Sequence, residues 1–241
     1  MDHWFFVHIM KTAGTTFRKM LTETQGVSVY PTAEELAANR GRWYLPPDQL
    51  VSRIESGEIN LTDRQFLCGH YSASLPEMIP GSWRTVTFLR DPVRRTLSMI
   101  AHHHSRQGRL RRFFNPNFSR YLADETFVEN QIRDYQTKVF ALPPTGSVNR
   151  PYAIDDAGFE RAKDRLRAMD FVGLTEQLDQ SIALFEAISG QRFAPPAFFN
   201  KGQRYSASEA EIAQIRSLVA RDIELYELAR ERLRASIAAA A

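Results

Sequence analysis

Residues 4–24 constrain the fold more than any other stretch. The run Trp4-Phe5-Phe6-Val7-His8-Ile9 is bulky and, apart from His8, apolar, as a strand covered on both faces requires. Small and hydroxyl-bearing residues follow in Thr12-Ala13-Gly14-Thr15-Thr16. Phe17, Met20, Leu21 and Thr24 then recur at helical spacing. A buried strand that turns through a short loop straight into a helix is the opening unit of a parallel sheet, whose crossovers need such helices.

Three more strand-like runs continue the pattern: Gln65-Phe66-Leu67-Cys68, Thr85-Val86-Thr87-Phe88-Leu89 and Phe171-Val172-Gly173-Leu174. Helix starts follow two of them. Asp91 reads as an N-cap with Pro92 at the first helical position, and Val93, Leu97 and Ile100 recur on one side. Thr175 reads as the cap of a helix carrying Leu178, Ile182 and Phe185. A charged helix is predicted over 156–169, and Ser206-x-x-Glu209 reads as a capping box opening a long helix over 206–237. Its stripe of Ile212, Ile215, Val219, Ile223 and Tyr226 reads as core. The final alanines, 238–241, are expected to fray.

The expected fold class is therefore α/β: a mainly parallel sheet covered by helices, in a single domain spanning 1–241. Two stretches lack a clean period. Residues 31–62 contain Pro46-Pro47 and predict only a short helix over 48–56, stopped by Gly57. Residues 102–150 are rich in arginine and include the turn-like Leu142-Pro143-Pro144-Thr145-Gly146. Both are read as insertions that build the acceptor side of a cleft.

Composition excludes several classes. With 43% hydrophobic and 24% charged residues, the chain is an ordinary globular one. Its 31 Lys+Arg against 28 Asp+Glu leave a net charge of only +3, which suits an anionic ligand better than a nucleic-acid coat. One cysteine, Cys68, excludes an internal disulfide framework and a cysteine zinc site. No run of ~18 apolar residues is long enough to span a bilayer. No signal-peptide pattern opens the chain, so a cytoplasmic protein is expected.

The loop after the first strand carries the most chemistry. Backbone N–H groups at a helix N-terminus lack partners and face outward, and the helix dipole adds positive potential there. Gly14 allows close approach of an oxyanion, Thr12, Thr15 and Thr16 offer hydroxyls, and Lys11 brings a full charge. This is no Walker A loop, because the lysine precedes the glycine and Gly-Lys-Ser/Thr is absent. The alternative is a tight turn whose threonines only cap the helix.

A second anion site is read from Arg90-Asp91-Pro92-Val93-Arg94-Arg95-Thr96-Leu97-Ser98. Arg90 leaves the carboxyl end of a strand, where ligands bind in open α/β sheets. Arg90 and Ser98 together offer a charged fork and a hydroxyl to a phosphate. Alternatively, Arg90 pairs with a carboxylate and Ser98 faces water. His70, in Cys68-Gly69-His70-Tyr71, follows the second strand at the same end of the sheet. Its pKa range suits a general base at neutral pH, although a structural histidine fits the same place. In His102-His103-His104, consecutive side chains on a helix point ~100° apart and do not converge on one metal. With Arg106, Arg109, Arg111 and Arg112 they read as a solvated basic face, or as a surface that attracts an anionic acceptor.

The two loops together resemble a known family. His8-Ile9-x-Lys11-Thr12-Ala13-Gly14-Thr15-Thr16 resembles the 5′-phosphosulfate loop of the sulfotransferases that use 3′-phosphoadenosine 5′-phosphosulfate (PAPS). Arg90-Asp91-Pro92 with Arg95 and Ser98 resembles their 3′-phosphate motif. The wording of the first loop is closest to carbohydrate sulfotransferases of the uronyl 2-O type. The resemblance implies a P-loop-like α/β fold and PAPS as donor, leaving 3′-phosphoadenosine 5′-phosphate (PAP), with no metal. The loop from Lys11 through Thr12, Ala13, Gly14 and Thr15 to Thr16 would hold the sulfate and 5′-phosphate, and Arg90 and Ser98 the 3′-phosphate. Lys11 and His70 would be catalytic, and His8 would position the loop. Phe171 to Thr175 and Asn200-Lys201-Gly202 resemble the family more loosely.

The acceptor would be a hydroxyl-bearing small molecule or oligosaccharide, anionic if the arginine run attracts it. No nucleic-acid partner is expected. Two other classes remain open on the residues alone: a nucleotide-dependent phosphotransferase on a related fold, and a non-catalytic anion-binding protein.

Overall fold

In the computed structural model, residues 2–38, 44–108, 115–195 and 206–240 are described. Five strands form one sheet. In chain order the elements are β1 His3–Val7, α1 Gly14–Glu23, β2 Val29–Tyr30, α2 Ala33–Ala38, α3 Pro47–Glu55, β3 Phe66–Gly69, β4 Trp83–Leu89 and α4 Pro92–Arg106. They continue with α5 Phe118–Leu122, α6 Glu125–Gln131, α7 Tyr135–Ala141, α8 Asp156–Ala168, β5 Phe171–Leu174, α9 Leu178–Ser189, α10 Glu209–Leu218 and α11 Ala220–Ala240.

The strand order is β2-β3-β1-β4-β5 and every pairing is parallel. The α/β expectation therefore holds. Side chains alternate between two buried faces, as strands covered on both sides must. Trp4, Phe6, Phe66, Phe88 and Phe171 pack with Phe17 of α1 and Phe185 of α9 on one face. Phe5, Val7, Leu67, Leu89 and Val172 pack with Val139, Leu166 and Leu225 of α7, α8 and α11 on the other. A third cluster joins Met99 and Ile100 of α4 to α5, α6 and α10.

Register brings the carboxyl ends of three strands together, because Val7 lies opposite both Gly69 and Thr87. The chain leaves β1 toward β2 and β3, and leaves β4 toward β5. The crevice between β1 and β4 is thus the switch point of the sheet, where open α/β folds bind ligands.

Several sequence expectations need correction. β2 is too short to leave a pattern. The capping box is Ser208 with Glu211, not Ser206 with Glu209, and the long helix breaks at Val219 into α10 and α11. That break moves the buried stripe of α11 to Asp222, Leu225, Tyr226, Ala229 and Leu233, leaving Ile223 half-buried. Residues 238–240, where the sequence predicts fraying, lie within α11, and Ala241 lies outside the described residues. Thr175 opens a 3₁₀ turn and gives its hydroxyl to the Leu89 carbonyl at 3.1 Å, so it does not cap α9. Among its described residues, the aperiodic stretch 102–150 holds the short helices α5 to α7. The short helix after Pro46 and its stop at Gly57, whose φ is +76°, are as expected.

Two aspartates hold α7 and α11 by exchanging caps. Asp134, at the start of α7, accepts the N–H groups of Arg221 and Asp222 at 3.0 and 3.2 Å. Asp222, fully buried in α11, accepts those of Gln136 and Thr137 at 3.1 and 2.7 Å. Each satisfies donors that the other helix leaves orphaned. Asp222→Ala strands two buried N–H groups and is expected to cost about 2–4 kcal/mol in denaturant unfolding. An unchanged midpoint would contradict the exchange.

Candidate functional site

The loop between β1 and α1 is tightly wound. Lys11 and Ala13 both adopt left-handed backbone, at φ 72° and 67°, a region that non-glycine residues occupy only when their surroundings hold them there. Thr12 is buried and gives its hydroxyl to the Ile9 carbonyl at 2.9 Å, so it closes the loop from within. Its hydroxyl proton is not available to a ligand in this geometry. Ala13 is the N-cap of α1 and contributes no side-chain hydrogen bond. The N-terminus of α1 is open, and the threonines do not cap it. Thr15 is exposed and Thr16 half-buried. The α4 corner differs, because there the Asp91 carboxylate accepts the Arg94 N–H at 2.8 Å and closes the helix end.

Gly14 has a specific reason to be glycine. A Cβ there would lie 1.9 Å from the His8 ring, so the glycine makes room for that imidazole. His8 is buried, stacks on Phe6 with centroids 5.4 Å apart, and meets the Tyr44 hydroxyl through Nδ1 at 3.1 Å. Burial, and then the charges of His70, Arg18 and Lys11, holds it well below the ordinary histidine range.

His70 follows β3 and lies against His8, ring to ring, at 4.4 Å. Its Nδ1 is 2.5 Å from the His8 carbonyl, which can only accept, so Nδ1 carries the proton. Nε2 is left with a lone pair. Burial lowers the imidazole to about 4, against an upward pull from that backbone hydrogen bond. At neutral pH His70 is therefore an uncharged acceptor of protons with a defined tautomer.

Lys11 has no hydrogen bond or ion pair from its ammonium among the described residues. Burial, then Arg90 and Arg95, lowers its pKa. Arg90 donates from Nη1 to the Lys11 carbonyl at 3.2 Å, so the second corner touches the first directly. Its Nε is buried without a hydrogen-bond acceptor, 4.0 Å from the Glu176 carboxylate. Glu176 also accepts the Asp91 N–H at 3.2 Å and the Tyr226 hydroxyl at 3.1 Å. The carboxylate partner anticipated as an alternative for Arg90 is thus present, at a distance that leaves the guanidinium unsaturated. Ser98 is half-buried on α4, and its hydroxyl makes no hydrogen bond among the described residues. No contact among the described residues joins it to Arg90.

Arg95 is tied into the protein by Nε and Nη1, while its Nη2 is buried without a hydrogen-bond partner among the described residues. It is fully buried over the Tyr135 ring at 3.9 Å, and donates to the Met10 carbonyl at 3.1 Å and to the Gln131 carbonyl. It supports the loop from below, and burial lowers it to about 10. Of the histidine run, His103 packs on Phe127 at 4.8 Å, His104 meets the Tyr121 hydroxyl at 3.2 Å, and His102 stays exposed. Arg109, Arg111, Arg112 and Asn200-Lys201-Gly202 lie outside the described residues. Among the described residues, no group of three or more His, Cys, Asp or Glu is placed to hold a metal, and no helix is long and apolar enough to cross a membrane.

Fold and site together define a parallel α/β protein with an open, cationic strand-to-helix corner beside a neutral, oriented histidine. No family model matches the chain. The chain is similar to heparan-sulfate 6-O-sulfotransferase 2 of Danio rerio, with 28% identity over 94% of this chain and 57% of the relative. It therefore spans just over half of that relative's length. A crystal structure of a sulfotransferase from Alicyclobacillus acidocaldarius matches with a TM-score of 0.47 at 16% identity, covering 94% of this chain and 99% of that one. The resemblance to PAPS-dependent sulfotransferases is borne out by the sequence relative. Its name fits the carbohydrate branch, but specifies 6-O transfer, so the uronyl 2-O detail gains no support.

Gly14→Ala is expected to push the His8 ring aside and lower stability by about 1–3 kcal/mol in thermal or denaturant melts. A variant as stable as the parent would contradict the packing. The histidines also set a pH dependence. His70 and His8 are depressed, so the folded state binds fewer protons than the unfolded one below the unfolded value of ~6.5. Their stabilising contribution is complete above that value and lost as pH falls toward about 4. Melting temperature should fall across that window, and less steeply in His70→Gln. Equal slopes would contradict the assignment.

Proposed function

We propose that the protein transfers a sulfuryl group from PAPS to an acceptor hydroxyl, probed first on carbohydrates. The observation that carries this reading is the His70 tautomer: Nδ1–H is bound to the carbonyl of His8, which opens the loop that bears Lys11, and Nε2 has no hydrogen bond among the described residues. The sulfotransferase relative supports the same chemistry.

The residues present suit such a donor. The open N-terminus of α1 offers the amides of Gly14, Thr15 and Thr16 and two threonine hydroxyls to the sulfate and 5′-phosphate. The buried, unsatisfied Nε of Arg90 suits the 3′-phosphate, with Ser98 two helical turns away. In the reaction, the acceptor oxygen bonds to sulfur while the bond from sulfur to the bridging oxygen of the 5′-phosphate breaks. The acceptor proton passes to His70 Nε2, and PAP departs carrying the electron pair of the broken bond. Lys11 stabilises charge on that leaving oxygen, so positioning and electrostatics do most of the work. The segments 31–62 and 102–150 are proposed to receive the acceptor. A carbohydrate acceptor rests on the relative's name and on the loop wording.

PAP at ~100 times its Kd should raise stability by about 2.7 kcal/mol, read as a thermal shift. ATP with Mg²⁺ in the same experiment should give a smaller shift, and the reverse order would favour a phosphotransferase. Arg90→Ala should reduce the PAP shift. His70→Ala should keep the shift but lose turnover of labelled PAPS across acidic oligosaccharides, simple sugars and phenols. Full turnover in that variant would remove His70 as the base.

A further inference from the structure

Gln136 lies in α7, far in sequence from either loop, and is 1% exposed. Its carboxamide makes a two-point contact with the peptide of Arg90. The Arg90 N–H donates to Oε1 at 3.0 Å, and Nε2 donates to the Arg90 carbonyl at 2.8 Å. The two partners fix the orientation of the amide, since an N–H must meet the oxygen and a carbonyl must meet the nitrogen. Arg90 has left β4 by this point, so its backbone would otherwise have to find partners in water. Gln136 takes the place of a neighbouring strand.

The contact is anchored from behind. The Gln136 N–H is held by Asp222 of α11, and Asp222 is held in turn by the cap exchange with Asp134. On the far side of Arg90, Tyr226 of the same helix holds Glu176, which receives the Asp91 N–H. One helix thus supports the Arg90 corner at two points. The Arg90 guanidinium then reaches across to the Lys11 carbonyl.

We infer that Gln136 is a positioning residue for the donor site: it sets the Arg90 backbone so that the guanidinium bridges the Lys11 loop and faces the 3′-phosphate. This inference rests on the donor reading above. Gln136 touches no reacting atom in this scheme and acts only through Arg90. A residue that acts through another should lose its effect when the other is gone.

The test is a double-mutant cycle read by calorimetric PAP affinity, with the parent, Gln136→Met, Arg90→Ala and the double variant. Methionine matches the volume of glutamine but offers no strong hydrogen bond. Gln136→Met alone should weaken PAP about tenfold, the effect of two lost hydrogen bonds. In the Arg90→Ala background the same change should weaken PAP by less than about twofold. Equal losses in both backgrounds would make Gln136 a general packing residue and overturn the inference, as would no loss in either. A parent that fails to bind PAP would remove the donor reading itself, and the inference with it. Thermal melts verify folding. If Gln136→Met does not fold, Gln136→Glu serves in the same cycle, because it keeps an acceptor for the Arg90 N–H and loses the donor to the Arg90 carbonyl.

Discussion

The site depends on two guanidinium groups gripping the backbone of a strained loop. Arg90 holds the Lys11 carbonyl and Arg95 holds the Met10 carbonyl, and both arginines come from the corner after β4. Lys11 and Ala13 sit in left-handed backbone without being glycine, which costs about 1–3 kcal/mol each. Such a loop persists only where neighbouring structure over-determines it. The arginines, the internal Thr12 bond and the His8 ring under Gly14 supply that constraint. The two corners are one structure rather than two independent grips.

Crowding the cations has an electrostatic consequence. Lys11, Arg90 and Arg95 all have pKa values lowered by burial, and each feels a positive neighbour. Placing positive charges together in a partly dry crevice is unfavourable unless an anion joins them. His8 fits the same field, because Arg18 and Lys11 oppose its protonation, whereas burial keeps His70 neutral. A neutral imidazole with its proton fixed on Nδ1 is the form that can accept a proton from a hydroxyl. Burial thus lowers the loop cations and the His70 imidazole alike.

Much of the frame was legible in the sequence. Four of the five strands are bulky, continuous runs, and the Asp91-Pro92 helix start has a local mechanism that needs no tertiary context. The anion loops were legible because strand-to-helix corners concentrate small, hydroxyl and basic residues. Other features were hidden, because they are settled by contacts between segments distant in sequence. Arg95 was legible only as part of the second motif, and the packing of Tyr135 and the Met10 carbonyl around it reveals a support. Gln136 lies in a stretch without periodicity, 46 residues from the peptide it holds. The role of Gly14 against His8 depends on a ring orientation that spacing does not encode. The shift of the capping box from Ser206 to Ser208 is a local choice between two serines two positions apart with acidic partners, Glu209 and Glu211, which pattern alone does not resolve.

The central claim is that one crevice between β1 and β4 holds both ends of a doubly phosphorylated adenosine. A crystal structure with PAP bound tests it most directly. The account predicts the 5′-phosphate at the amides of Gly14, Thr15 and Thr16 beside Lys11, with the 3′-phosphate at Arg90 and Ser98. PAP bound away from Lys11 and Arg90 would contradict it.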